Sequence, residues 1–218
     1  MKKKCGNSSA DEACLKVFGA LTASVTHEIK NTISIINENA GLLKDLCDFA
    51  EDESGVPVEH IDAAADKMMK QVERSDTILK NLNRFAHSGD NIPSQADLLD
   101  ILSLMVALTS RFAAMQKVSI KLECPSGIEV RTNLLIFESL LFMTLRRMYS
   151  ACPEDSTLKI AGEADGEQFL VKFMLVKGGT LECAHSPGIE EQILAAEVGA
   201  VCWSQEGEII IKLAACRR

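Results

Sequence analysis

Apolar residues recur along the first quarter of the chain with an alternating four-three step. Phe18, Thr22, Val25, Ile29, Thr32, Ile36, Asn39 and Leu43 mark one stripe, and Leu21, Ile33, Ala40 and Cys47 widen it. Positions three and four apart share a helix face, so the pattern predicts one long amphipathic helix from about Asp11 to Ala50 with a partly polar seam. That span contains no proline and only two glycines. "EDESGVPVE" ends it, because Ser, Gly and Pro together favour a turn. A second helix is predicted from about Val58 to Ala86, with Ile61, Ala65, Met68, Val72, Ser75, Leu79, Leu82 and Ala86 in heptad spacing. Two such helices joined by a short break form an antiparallel hairpin. Each offers more apolar width than a single partner covers, so the expected assembly is a homodimer whose two hairpins make a four-helix bundle.

"HSGDNIPSQ" is a boundary rich in Gly, Pro, Ser and Asn, and beyond it the period changes. Asp97 to Met115 reads as a helix. "KVSIKLEC" alternates Val118, Ile120 and Leu122 against polar residues, as a half-buried strand does. "NLLIFESLLFMTLRRMYSA" is apolar on most sides and reads as a buried helix. "STLKIAG", "QFLVKFMLV" and "EIIIKLAA" read as strands, with a helix near Gly188 to Val198 before the last. The expected fold class is α+β, with helices on one face of a mixed sheet after the hairpin. The expected organisation is a tail over 1–10, a hairpin domain over 11–90 and an α/β sandwich over 96–218.

The 218 residues are enough for one large domain or two small ones, and the apolar and charged shares, 47% and 25%, are ordinary for a globular chain. Only 5% are aromatic, which favours helix packing through aliphatic side chains. The net charge of −8 argues against nucleic-acid binding, which calls for a basic stripe, and suits a partner with a basic docking face. The eight cysteines form no CxxC pair and no zinc-ligand spacing with histidine, so they read as reduced thiols and no metal is expected. "MKKKCGNSS" is basic but has no apolar segment after it, and the apolar runs "ILSLMVAL" and "LLIFESLLFMTL" are too short or too interrupted to span a bilayer. A cytoplasmic protein with no membrane partner is expected.

One stretch inside the first helix, "SVTHEIKNTISII", carries candidate chemistry. His27 lies roughly 160–200° from the seam residues Val25 and Ile29 and so faces solvent. Asn31, Ser34 and Glu38 continue its strip, and Ala20, Ala23 and Ser24 leave room on the turn before. Glu28 is placed to accept a hydrogen bond from one ring nitrogen, leaving the other as nucleophile, and Asn31 to hold a water or a phosphoryl oxygen. Spacing alone leaves a second reading open, since solvated histidines are common on long helices. His60 and His87 flank the second helix, His185 has no supporting ligand pair, and none of the three is given a role.

"HEIKN", a periodic helix, a turn and a second helix ending "ILKNLNRFA" together resemble the dimerisation and phosphotransfer domain of bacterial sensor histidine kinases. The resemblance runs on through "ADLLDILSLMVAL", "KVSIKLE", "IEV" and "LLIFESLLFMTLRRMYSACPEDSTLKIAG", from roughly Leu15 to Leu213. It implies that His27 is a phosphoacceptor, Glu28 its acid/base partner and Asn31 a residue tuning hydrolysis or transfer. Thr32 stands where the family often has proline.

The same resemblance implies an ATP site that this sequence lacks. The family's two asparagines on the nucleotide-site helix are replaced by Met143 and Arg147, and an arginine has no lone pair for Mg²⁺. "KGGTLECAHSPG" stands where an Asp-x-Gly-x-Gly loop is expected, no GxGxG turn appears, and the lid has no room. Gly178-Gly179 reads as an ordinary turn, and Arg146 and Arg147 as either a docking pair or solvated cations. The implied function is a histidine phosphotransferase that shuttles phosphoryl groups between response-regulator receiver domains through His27. No cofactor is expected on this chain, and Mg²⁺ is expected on the partner receiver. A divergent ATP-dependent kinase and a non-catalytic scaffold that binds response regulators remain as alternatives.

Overall fold

A computed structural model of the chain describes residues 5–49, 55–166, 168–177, 187–205 and 207–214. The chain divides into two compact units, one of Thr22–Asn83 and one of Met1–Leu21 with Arg84–Arg218.

The Thr22–Asn83 unit is a hairpin of two helices, α1 (Cys5–Phe49) and α2 (Val58–Ala86). They run antiparallel: Thr32 meets Ser75, while Leu42 and Leu46 line a cavity of about 260 Å³ with His60, Ala64 and Lys67. The predicted α2 stripe turns out to be two stripes. Ala64 is buried and Met68, Gln71, Ser75, Ile78 and Leu82 are half-buried, whereas Ile61, Val72 and Leu79 stay 42%, 53% and 48% exposed. On α1, Thr32 is 1% exposed and Ile33, one residue on, is 49% exposed. Each helix therefore has one apolar flank turned to its neighbour and another turned outward.

The other unit begins with the first turns of α1. The helix starts at Cys5 rather than Asp11, because the 3.6-residue period extends back through the polar-looking "SSADEAC": Ala10, Ala13, Cys14 and Val17 are buried on one face. Lys16 reaches Glu190 at 2.8 Å, and burial pushes the Cys14 thiol up against the opposing pull of a hydrogen bond with Ser139.

After α2 a single 3₁₀ turn, His87–Gly89, leads to β1 (Ser94–Asp97), a strand inside the segment read as a plain boundary. It pairs antiparallel with β3 (Glu129–Thr132). α3 (Leu98–Met115) follows, capped by Asp97, whose carboxylate accepts from the Leu99 N–H at 2.8 Å. β2 (Ser119–Glu123), β4 (Thr157–Asp165), β5 (Gln168–Lys177), β7 (Glu208–Ala214) and β6 (Val201–Gln205) form a sheet in the order β2-β4-β5-β7-β6, with β2 and β4 parallel and the rest antiparallel. α4 (Leu134–Ala151) and α5 (Ile189–Val198) complete the unit. β6 escaped the sequence reading because "VCWSQ" is short and ends polar; it is an edge strand of the sheet, with Cys202, Trp203 and Ser204 half-buried.

One sheet face is the core. Leu158 and Ile160, Phe169, Val171 and Phe173, and Ile209, Ile211 and Leu213 are buried at alternate positions, and Phe137 of α4 meets Phe169 edge-on at 5.9 Å. The other face carries Lys172 against Glu163 and Lys212 against Asp165. α3 is 18 residues long with a mean hydropathy of 1.6, so by length and composition it could cross a membrane, contrary to the estimate from its shorter apolar run. Its burial pattern is that of a core helix: Leu98, Ile101, Leu102, Leu104, Met105 and Leu108 are at most 4% exposed.

Glu138 lies in this core at 2% exposure. Its Oε2 has no hydrogen-bond partner among the described residues. Burial raises its pKa from 4.5 to about 7, against the opposing effects of a hydrogen bond with Ser88 and the charge of Arg84. The folded state thus holds a proton that the unfolded chain releases at lower pH. The associated stability is fully present below pH 4.5 and is lost as the pH rises through about 7, on the order of 3 kcal/mol in all. Glu138→Gln should remove that loss and leave the unit more stable than wild type at pH 8. Urea unfolding followed by Trp203 fluorescence at pH 5 and pH 8 checks it; a wild type equally stable at both would refute it.

Candidate functional site

His27, Asn31, Ser34 and Glu38 are all exposed and form the solvent-facing strip expected of them. Ala23 is exposed on the turn before, but Ser24 is only 3% exposed, so the clearance beside His27 rests on Ala23. The strip's orientation follows from Thr32. Its hydroxyl lies 2.8 Å from the Ile29 carbonyl and 2.7 Å from the Ser75 hydroxyl, which in turn lies 2.9 Å from the Gln71 carbonyl. Two hydroxyl protons serve these three contacts, so one proton is shared between the neighbouring hydroxyl and a carbonyl. Thr32 continues the helix through the position where a proline would have removed a backbone donor.

Glu28 is not turned toward His27. Its side chain is 13% exposed and pairs with Arg74 of α2 at 3.6 Å. Neighbours in a helix sequence point about 100° apart, so His27 and Glu28 leave the backbone toward different surroundings. No hydrogen bond joins His27 to Glu28 or Asn31 among the described residues. The structure therefore brings together Glu28 and Arg74, a pairing that sequence reasoning missed. The available signal was an arginine beside Ser75, but its partner depends on hairpin register.

The other unit holds an open groove of about 740 Å³. Met143, Arg146 and Arg147 of α4 line it, with Lys16 of α1 and Glu190 and Glu191 at the start of α5. Arg147 is not simply solvated: its Nε donates to Glu191 at 2.9 Å and its Nη2 at 3.1 Å. The Glu191 carboxylate also accepts from the Thr144 hydroxyl at 2.8 Å and from the Gly188 N–H at 2.7 Å, which ties the first turn of α5 to α4. Arg146 lies over the Phe112 ring at 4.8 Å. The Gly178-Gly179 pair, Glu182 and His185 lie outside the described residues. Among the described residues no cluster of His, Cys, Asp and Glu is arranged to hold a metal.

No protein-family model matches the sequence, and no curated protein matches it. Solved structures do match. The catalytic domain of the histidine kinase ThkA aligns with a TM-score of 0.50 at 15% identity, over 59% of this chain and 100% of that one. The Acinetobacter baumannii histidine kinase AdeS aligns at 0.46 and 16% identity, over 88% of this chain and 98% of that one. ThkA in complex with the response regulator protein TrrA aligns at 0.48 and 17% identity, over 98% of this chain and 67% of that one. The likeness is one of fold: helices followed by a mixed sheet in a histidine-kinase-like α+β arrangement.

The Arg147–Glu191 pair should matter to stability, since Glu191 has only 5% of its side chain exposed. Arg147→Ala leaves a buried carboxylate short of its charged donor and should cost about 3 kcal/mol. Urea unfolding monitored at Trp203 reads this directly, and a loss below about 0.5 kcal/mol would mean that water replaces the arginine at no cost.

Proposed function

We propose that this chain is a histidine phosphotransferase of a two-component phosphorelay. It works as a cytoplasmic homodimer that passes phosphoryl groups between response-regulator receiver domains without binding ATP. The observation that carries the reading is a contrast between two sites. "HEIKN" is whole and presents His27 to solvent, whereas the α4 positions at which the resemblance expects asparagines hold Met143 and an Arg147 engaged with Glu191. An arginine paired to a carboxylate neither ligates Mg²⁺ nor leaves that carboxylate's donors free for a nucleotide phosphate.

The chemistry asks little of this chain. A lone pair on one ring nitrogen of His27 attacks the phosphorus of a receiver's aspartyl phosphate. The P–O bond to the aspartate breaks and its electron pair returns to the carboxylate. Transfer onward reverses these steps on a second receiver. Mg²⁺ is supplied by the receiver's acidic pocket, and positioning supplies most of the rate. Small neighbours such as Ala23 let the receiver approach; the resemblance assigns Asn31 to govern water and Glu28 to polarise the ring, which it can do only on leaving Arg74.

The outward flank of Ile61, Val72 and Leu79 supports the dimer, because an exposed apolar stripe at heptad spacing is what a four-helix bundle buries. Val72→Glu with Leu79→Glu should convert the protein to a monomer in sedimentation velocity; an unchanged sedimentation coefficient would place the interface elsewhere.

Transfer itself is tested with a phosphorylated receiver as donor and a second receiver as acceptor. His27→Ala should lower the transfer rate by at least a hundredfold, and unaltered transfer would remove His27 from the reaction. Incubation with radiolabelled ATP and Mg²⁺ should leave wild type without acid-labile label. Label on wild type that His27→Ala abolishes would establish a kinase instead.

A further inference from the structure

We infer that Arg74 is a positioning residue of the His27 site: it holds Glu28 away from the imidazole in the free protein and gives it up when a phosphoryl group arrives. The inference rests on the reading of His27 as phosphoacceptor and adds to it a residue on the second helix that controls when the acid/base partner is engaged.

Three observations carry it. Glu28 is the side chain one position along from an exposed histidine, yet its carboxylate is largely covered and directed across the hairpin. Its partner is a guanidinium with 59% of its side chain exposed, so a visiting anion can reach the same group. The two meet at 3.6 Å, longer than the roughly 2.7–2.9 Å of a charge-assisted hydrogen bond, and pairs of this kind are held weakly.

A phosphoryl group approaching His27 changes the competition. It carries up to two charges and three acceptor oxygens where the carboxylate has one charge and two, and arginine's planar fork suits either. Arg74 transfers to the stronger anion, and Glu28 loses its partner. A rotation of its own side chain then brings the carboxylate toward a ring nitrogen of His27, where it accepts the N–H and leaves the opposite nitrogen as the nucleophile. No covalent bond changes in this exchange. The ion pair thus keeps the imidazole unassisted until a phosphorylated partner is present, which would suppress idle reaction with other donors.

The exchange predicts a signature in the ring tautomers of His27. Long-range ¹H–¹⁵N spectra of the full chain, with the His27 signals assigned by His27→Ala, report the ratio of the two N–H forms at fixed pH. Glu28→Gln alone should leave the ratio as in wild type, because Glu28 does not touch the ring in the free protein. Arg74→Ala should change it at least twofold, Arg74→Ala with Glu28→Gln should restore it, and Arg74→Lys, which keeps the charge, should stay close to wild type. Adding inorganic phosphate to wild type should move the ratio toward that of Arg74→Ala, beyond the effect of sodium chloride at equal ionic strength, and should not move Arg74→Ala further.

An Arg74→Ala spectrum that matches wild type overturns the inference, as does a Glu28→Gln spectrum that departs from it, or a wild type indifferent to phosphate. These outcomes are independent of whether His27→Ala blocks transfer between receivers. The positioning role can therefore fail while the phosphoacceptor reading stands, and the reverse.

Discussion

The geometry of the hairpin depends on the hydroxyl pair of Thr32 and Ser75. A hydroxyl withdrawn from water is costly to leave unpaired, and here buried Thr32 and half-buried Ser75 each have a backbone carbonyl of their own helix and the other hydroxyl within reach. A slip of one residue between the helices would separate them and put Ile33, now exposed, into the seam. That register sets Glu28 against Arg74 and leaves His27 on the outer strip. A polar contact in the seam therefore decides which groups surround the candidate nucleophile, much as a single polar residue fixes register in a coiled coil.

The same α4 helix contains or contacts two buried carboxylates in opposite situations. Glu191 is met by a backbone N–H, a hydroxyl and an arginine fork, a full set of donors for an ionised group. Glu138 has one oxygen without a partner among the described residues, and its burial favours the neutral acid. The difference is one of available donors rather than depth, since both are at most 4% exposed. Glu191 thus ties α5 to α4 through the groups that donate to it, and Glu138 is a proton-holding group in the core.

The relation between groove and fold is also clear in these terms. The sheet and its helices retain a histidine-kinase-like arrangement. The α4 surface that lines the groove joins arginines to a carboxylate and to aromatic rings. Ion pairs of this sort stabilise the positions of α4 and α5 without calling for a ligand, and the groove's apolar lining includes Val17, Ala20, Met143 and Ile189.

Much of the fold was legible from periodicity. Helices over Leu98–Met115 and Leu134–Ala151 and strands over Thr157–Asp165 and Gln168–Lys177 follow from the spacing of apolar residues, because burial on one face imposes a period of 3.6 or 2. The exposure of His27 and its strip was legible for the same reason, as the angular complement of Val25 and Ile29. β1 and β6 were not, because a strand of four or five residues is held by its partner's backbone more than by its own side chains. The early start of α1 at Cys5 depended on a surface against which Ala10, Ala13 and Val17 could pack. Above all, that a glutamate follows the histidine is written in the chain, whereas its meeting with Arg74, and that of Arg147 with Glu191, is a product of packing. Partners 46 and 44 residues apart are chosen by register and helix packing, which no local period encodes.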